Sequence, residues 1–360
     1  MDKRLKVVFS IVKMVNKWYI LIGGYMKKYK VIITIIMSFI CVLSLLNTPN
    51  IKKKYVSYNV ESTKKEIKLS INKWIEIPTY DKNNEVTHPK VLYFPEKVNG
   101  YHYYMVSTPY HNNDTYLENP SITVSNDGIN FIEPIGINNP VSGYPSKIKN
   151  DTYYSDPFIM YDDNKFKLFY RYTKSYDNGI YIRNGFNYIY YRESNDGINY
   201  SEPKLILDNN FEDRYMSPSV VKVNEVYKIW YTNYDCKLRY IESTDLNSFS
   251  KPVIVNISNF DKGIWHSEIQ YINGTYHLVF MTRNNYLYYS SSSDGLNFLE
   301  PKLVNTSLEE LQGSISYIYK TSYIINNETI EFYIPYKVNG IWKMYYKLYS
   351  LDDFYKSLKN

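Results

Sequence analysis

The chain has 360 residues, with 42 Lys/Arg against 36 Asp/Glu for a formal charge of +6, and is 44% apolar and 22% charged. That balance is globular and excludes wholesale disorder and a polytopic membrane protein. Two cysteines exclude a disulfide scaffold, and 43 tyrosines favour strands and turns over long helices.

The positive charge is unevenly placed. Residues 1–65 hold 13 Lys/Arg against Asp2 and Glu61, leaving 29 basic and 34 acidic groups in the other 295 residues. The body is mildly acidic, so a surface that tracks phosphates is not expected and no nucleic-acid partner is assigned.

Between Lys30 and Lys52 lie 21 residues without a charge, with the apolar run Val31–Leu46 at their heart. An apolar helix of about 20 residues spans a bilayer. Basic residues ahead of it keep the amino terminus cytoplasmic, and no A-x-A site follows it. The expected order is a basic cytoplasmic segment over 1–30, a transmembrane signal anchor over 31–48, a tether over 49–65 and an exported domain over 66–360. The protein is then a single-pass cell-membrane protein with an extracytoplasmic domain, or a secreted one if the leader is cleaved. Residues 7–26 are also apolar, with Lys13 and Lys17 on one helical face, the pattern of an interfacial helix. The alternative is translation from Met26, which puts MKKYK before the apolar run as an orthodox export signal. Cys41 lies in the apolar run and Cys236 in the body, so they cannot bridge within the exported domain.

One pattern recurs along the body: Ser125-Asn-Asp127-Gly-Ile-Asn-Phe131, Ser194-Asn-Asp196-Gly-Ile-Asn-Tyr200, Ser243-Thr-Asp245-Leu-Asn-Ser-Phe249 and Ser292-Ser-Asp294-Gly-Leu-Asn-Phe298, with a degraded copy at Ser350-Leu-Asp352-Asp-Phe354. Its aspartates are 69, 49, 49 and 58 residues apart. A period of that size with β composition marks propeller blades. Asp-Gly between strand-like runs is a hairpin turn, because glycine accepts positive φ and the aspartate bonds nearby backbone. These aspartates are therefore structural.

Two further strands precede each turn. The first opens with X-Pro in three units, His88-Pro89, Asp156-Pro157 and Ser217-Pro218, and with His266-Ser267-Glu268 in the fourth; the second is an aromatic run such as Lys165-Phe-Lys-Leu-Phe-Tyr-Arg171. Four strands in each of five units predict an all-β, five-bladed β-propeller preceded by the transmembrane helix. The fifth unit has strands near Tyr317–Tyr323, Glu331–Tyr336 and Trp342–Tyr349, and Trp74-Ile-Glu-Ile-Pro supplies its missing strand, closing the ring and removing its open edges.

Five blades opening on X-Pro strands and carrying Ser-x-Asp-Gly-x-x-aromatic turns resemble the five-bladed propeller glycoside hydrolases of the arabinanase/xylosidase, invertase and levansucrase types. The resemblance implies glycosyl hydrolysis or transfer in an axial pocket lined by the first strand of each blade. It also implies an aspartate opening the first blade, an aspartate opening the next and a glutamate opening the third. Only Asp156 matches; His88 and Ser217 stand where the pattern has acids.

Glycoside cleavage needs one protonated and one ionised carboxyl group. Asp156 is the expected ionised group, with Glu118 or Glu268 as proton donor; His266 and Glu268, two apart, share a strand face. His88 and His266 bind substrate hydroxyls or tune the acid, Arg171 and Arg283 bind an anionic or polyhydroxylated sugar, and Trp265 stacks on a ring. Tyr110, Asn119 and Ser217 complete the substrate-binding set. Structural alternatives stand beside these: Asp156 capping its turn, Glu118 bonding backbone, and each histidine as a satisfied core residue. No metal ligands and no cofactor are assigned; the resemblance allows a structural Ca2+ at the axis, which no ligand cluster in the sequence demands. The chain lacks a Gly-rich phosphate loop, His-Glu-x-x-His, Cys-x-x-Cys and Gly-x-Ser-x-Gly. The leading expectation is a glycosidase-like enzyme acting on a carbohydrate; the alternative is a non-catalytic carbohydrate-binding propeller of the same architecture.

Overall fold

Alternating aromatic and polar residues, cut by turns at regular intervals, fold among the described residues into five antiparallel blades arranged about an axis, with a two-stranded parallel pairing of Asn256–Ile257 and Asn297–Phe298 beside them. The computed structural model describes residues 71–143, 152–175, 185–208, 213–306 and 315–358. The expected leader, anchor and tether over 1–65 lie outside the described residues. Among the described residues no helix is long and apolar enough to cross a membrane.

Blade one comprises Val86–Val98, Tyr101–Pro109 and Ser121–Ser125, with Ile132 bridging back to Val124. Blade two comprises Thr152–Asp162, Lys165–Ser175, Gly185–Ser194 and Lys204–Leu207. Blade three follows with Met216–Val223, Val226–Thr232, Leu238–Ser243 and Val253–Ile254. Blade four holds Ile264–Ile272, Thr275–Thr282, Leu287–Ser292 and Lys302–Leu303. The innermost strands contact one another in this order, and Ser322–Ile325 of blade five touches both Ile264–Ile272 and Val86–Val98, closing the ring.

Blade five mixes both ends of the described chain. Thr329–Val338 pairs with Ile341–Ser350, which pairs in turn with Ile71–Ile75, so Trp74 sits opposite Tyr345 with the two rings edge to face at 4.9 Å. The strand expected at Tyr317–Tyr323 is split: Ile315–Ile318 and Ser322–Ile325 both pair with Thr329–Val338, and Tyr319–Thr321 lie between them outside both strands, with Tyr319 N–H donating to the Pro335 carbonyl at 3.0 Å.

The repeated turns are built alike. In blade one the Ser125 hydroxyl donates to Asp127 Oδ1 at 2.9 Å, and that same oxygen accepts the backbone N–H of Ile129 and Asn130 at 2.9 and 2.8 Å. Asp196, Asp245 and Asp294 repeat the arrangement. Slight burial works against the Asp127 charge, but these donors outweigh it and hold the carboxyl down at about 2. The turn of blade four also bolts two blades together. Gly295, at φ +77°, lies under Trp230 of blade three, whose indole N–H donates to the Gly295 carbonyl at 2.8 Å. The fifth copy of the motif is a helix start instead: Ser350 caps Leu351–Ser357 by accepting from Asp353 N–H, and Phe354 is buried against blades four and five.

Candidate active site

The X-Pro openings of blades one to three share one irregularity. Pairing registers skip between Thr87 and Lys90, between Ser155 and Phe158, and opposite Trp230 to Thr232, so each blade has a bulge at its strand opening. His88, Asp156 and Ser217, each just before its proline, take φ of 51°, 49° and 48°. Left-handed backbone at non-glycine residues is costly, on the order of 1–3 kcal/mol each, and bulges re-aim side chains. Here all three side chains are carried to the axis and fully buried. In blade four the register skips between Ile264 and His266, and His266 joins them.

Asp156 is the hub. Its Oδ2 receives Arg171 Nη2 at 2.8 Å and the Ser155 hydroxyl at 3.1 Å. Its Oδ1 receives Ser217 N–H at 3.1 Å and lies 3.6 Å from His88 Nε2 and 3.4 Å from His266 Nδ1. Burial alone would raise the Asp156 carboxyl, but Arg171 and then the imidazoles hold it well below the usual carboxylate range. Burial pulls both histidines below their ordinary values, so they are neutral imidazoles at pH 7.

Each imidazole is oriented by a hydroxyl. His88 Nδ1 hydrogen-bonds to Thr108 Oγ1 at 2.9 Å, and His266 Nδ1 to Ser217 Oγ at 2.6 Å. The Ser217 hydroxyl donates to Asp156 at 3.3 Å, so it accepts from His266 Nδ1–H. The Nε2 atoms of His88 and His266 are buried with no hydrogen-bond partner. Donor atoms of His88, Asp156 and His266 lie within 4.8 Å of one another. Two neutral imidazoles with spare lone pairs and one carboxylate form a donor set suited to a transition-metal dication.

Glu118, reached from the turn after blade one's second strand, lies 3.7 Å from His88 Nδ1 on the other edge of the ring. Burial, then the charge of Asp156, push its carboxyl well above the ordinary value. Tyr319 covers both imidazoles, with ring centroids 4.8 Å from His88 and 4.4 Å from His266.

The structure thus brings together Asp156, Glu118, His88, Ser217 and His266. Arg171, expected to meet substrate, is buried and bonded to Asp156, Ser155 and Asn187. Glu268, expected beside His266, falls one layer deeper: Lys90 donates to its Oε1 at 2.9 Å and Gln270 at 2.7 Å. Asn119 is buried and donates to Tyr80 Oη and the Tyr116 carbonyl, holding its loop. Tyr110 stacks on Tyr319 at 6.4 Å, and Trp265 is half-buried with its ring 5.4 Å from His266. Arg283 lies over Trp265 at 4.5 Å. Sequence reasoning missed Tyr319, Lys320 and Arg214, as well as the joint placement of His88, Asp156 and His266 as a donor set. Lys320 is buried on the axis and donates to the Pro157 carbonyl at 2.8 Å; burial brings its amine down to about 8.

No protein-family model matches the chain. Among curated proteins, a 63-residue stretch is 43% identical to the A type blood N-acetyl-α-D-galactosamine deacetylase of Flavonifractor plautii, spanning 18% of this chain and only 8% of the relative's length. Among solved structures, an N-acetylgalactosamine deacetylase from F. plautii superposes with a TM-score of 0.65 at 19% identity, covering 81% of this chain and 97% of that one. An exo-β-1,3-galactanase from Phanerochaete chrysosporium gives 0.55 at 10% identity, covering 81% and 66%. A β-fructofuranosidase from Bombyx mori gives 0.52 at 13%, covering 76% and 61%. The chain shares a propeller fold with these proteins, as its repeats led one to expect, a deacetylase among them.

Proposed function

We propose that this protein is a carbohydrate-acting hydrolase that removes the acetyl group from an N-acetylated amino sugar, using a divalent cation held by His88, Asp156 and His266. One observation carries the reading: two buried imidazoles, each with an unpartnered Nε2, converge with a carboxylate so that one donor atom of each residue lies within 4.8 Å of the others, and His88 stands where the glycosidase pattern has an acid. The superposition on a deacetylase over nearly all of that chain supports it.

His88, Asp156 and His266 would hold the cation, which would supply Lewis acidity toward an amide carbonyl and toward water. The protein's own groups do the rest. Thr108 and Ser217 fix the two rings so that Nε2 keeps its lone pair. Arg171 keeps Asp156 ionised. Glu118, whose carboxyl is pushed well above its ordinary value by burial and then by the charge of Asp156, is the proton donor. Water adds to the carbonyl carbon, the C–N bond breaks, and the nitrogen takes the proton of Glu118. The proton of the water restores Glu118, and acetic acid and the free amino sugar leave. The signal anchor expected over 31–48 accords with action outside the cytoplasm on a surface or environmental glycan.

A second reading, glycoside hydrolysis, is favoured by the opposed shifts of Glu118 and Asp156, the separation a proton donor and an ionised partner need. The full chain, assayed on N-acetylhexosamine oligosaccharides for acetate and for new reducing ends, separates the two. Deacetylation predicts acetate without reducing ends, abolished by EDTA, restored by a divalent cation, and reduced at least about 100-fold in Glu118→Gln. Reducing ends without acetate, indifferent to EDTA, would establish the glycosidase. Binding with neither product would leave a carbohydrate-binding propeller.

A further inference from the structure

Two arginines at the edge of the site have no carboxylate partner among the described residues. The Arg283 guanidinium is exposed and lies 4.5 Å from the centroid of the Trp265 ring. That of Arg214 lies 5.4 Å from the same ring and 5.2 Å from Tyr234. Trp265 in turn abuts His266. Nearby arginines are compensated: Arg171 by Asp156, and Arg239 by a two-point pair with Asp235. Asp213, next to Arg214 in the chain, accepts from Tyr231 and Asn233 and faces Arg239.

Holding two like charges against one indole is unfavourable unless an anion joins them. Burial, and then the charge of Arg171, make the Arg214 cation less favourable. Guanidinium groups match carboxylate and sulfate oxygens two at a time, and an aromatic face holds the guanidinium plane in place.

We infer that Arg214 and Arg283, braced by Trp265, bind an anionic group on the sugar adjoining the one that is processed, so that the substrate class is an acidic glycan bearing uronate or sulfate. The inference rests on reading the His88–Asp156–His266 centre as a carbohydrate site. It moves the anion-binding role expected of Arg171 to Arg214, because Arg171 is bonded to the hub.

Three disaccharides test it: N-acetylhexosamine joined to a neutral hexose, to a hexuronic acid and to a sulfated hexose. Acetate release and, in EDTA, calorimetric binding are measured with the full chain and with Arg214→Gln and Arg283→Gln. An acidic disaccharide should be preferred over the neutral one. Each substitution should lower the acidic-to-neutral ratio of kcat/KM about tenfold, with preference weakening as salt rises. Preference for uronate over sulfate, or the reverse, identifies the source of the anion. Acetate release with no acidic preference, or an equal loss on all three substrates, would overturn this inference and leave the deacetylase reading standing. Preferential binding of the acidic disaccharides without acetate release would do the opposite. A folded Arg214→Gln protein that retains the full acidic preference would remove Arg214 from the assignment.

Discussion

The outer turns and the inner strand openings of the same blades are two versions of repetition. At the outer edge the copies are nearly identical, Ser-x-Asp with its carboxylate satisfied by backbone N–H groups in four blades. At the axis the equivalent positions are equally repetitive in backbone, with left-handed φ at His88, Asp156 and Ser217, but hold a different residue in each blade. Identical side chains at repeated positions solve a folding problem that recurs. Different side chains on a repeated and strained backbone, with imidazole nitrogens left unpartnered, build one asymmetric site from five similar parts.

The comparison breaks first at Asp156. Its carboxylate is the anion compensating a buried Arg171, whereas the turn aspartates are held by backbone N–H groups. Removing one partner of a buried pair is worse than removing both. Asp156→Ala should therefore lose about 3–5 kcal/mol in urea denaturation, and Asp156→Ala with Arg171→Met should recover a large part of that. Recovery of nothing would mean that Asp156 acts through its strand opening alone.

The two regions also differ in how far the sequence discloses them. Turn chemistry is local, so four hairpin turns were legible from short words; the closing strand was legible at Trp74, but it runs over Ile71–Ile75 and not on through Glu76 to Pro78. The X-Pro pairs marked the inner openings for the same reason, since proline has no N–H to give the ladder and sits at strand starts and bulges. Convergence is not local. Glu268 is two residues from His266 and on its face, but two residues along a strand are roughly 6–7 Å, which drops it from the site to the Lys90 layer. Arg171 was legible as facing the axis but not as bonded to Asp156, because that follows from its register opposite Ser155. Tyr319 and Lys320 carry no X-Pro mark, and Arg214 lies before its strand rather than in it.

Gly295 sharpens the outer half of the comparison. An added Cβ there meets Trp230 Cζ2 at 2.8 Å, whereas at Gly274, also at positive φ, nothing lies within 4 Å. Both positions disfavour a side chain, so Gly274→Ala should cost about 1 kcal/mol, and Gly295→Ala about 2–3 kcal/mol because the indole must also move. The difference, read from paired urea titrations, measures how tightly blade four is bolted to blade three. Equal losses would show that the turn is strained but does not lock the blades.

The smallest effect belongs to the turn aspartates themselves, and its sign distinguishes them from the axis. Asp127 has a folded pKa brought down to about 2 by hydrogen bonds to its charged form, below its unfolded value. Its charge therefore stabilises the fold above the unfolded pKa, and that contribution is lost as pH falls through about 2. Because the carboxylate is largely exposed, solvent screening limits the effect, and Asp127→Asn should cost less than about 1 kcal/mol at pH 7. The gap between wild type and variant should close as the pH is lowered from 5 toward 2. Glu118 has the opposite sign: its folded pKa is raised, so the buried carboxyl favours the fold when protonated and opposes it as pH rises through that value. Glu118→Gln should thus hold stability at high pH where Asp127→Asn gives some up at neutrality. A glutamate whose replacement behaved like that of a turn aspartate would have no claim to be the proton donor of the site.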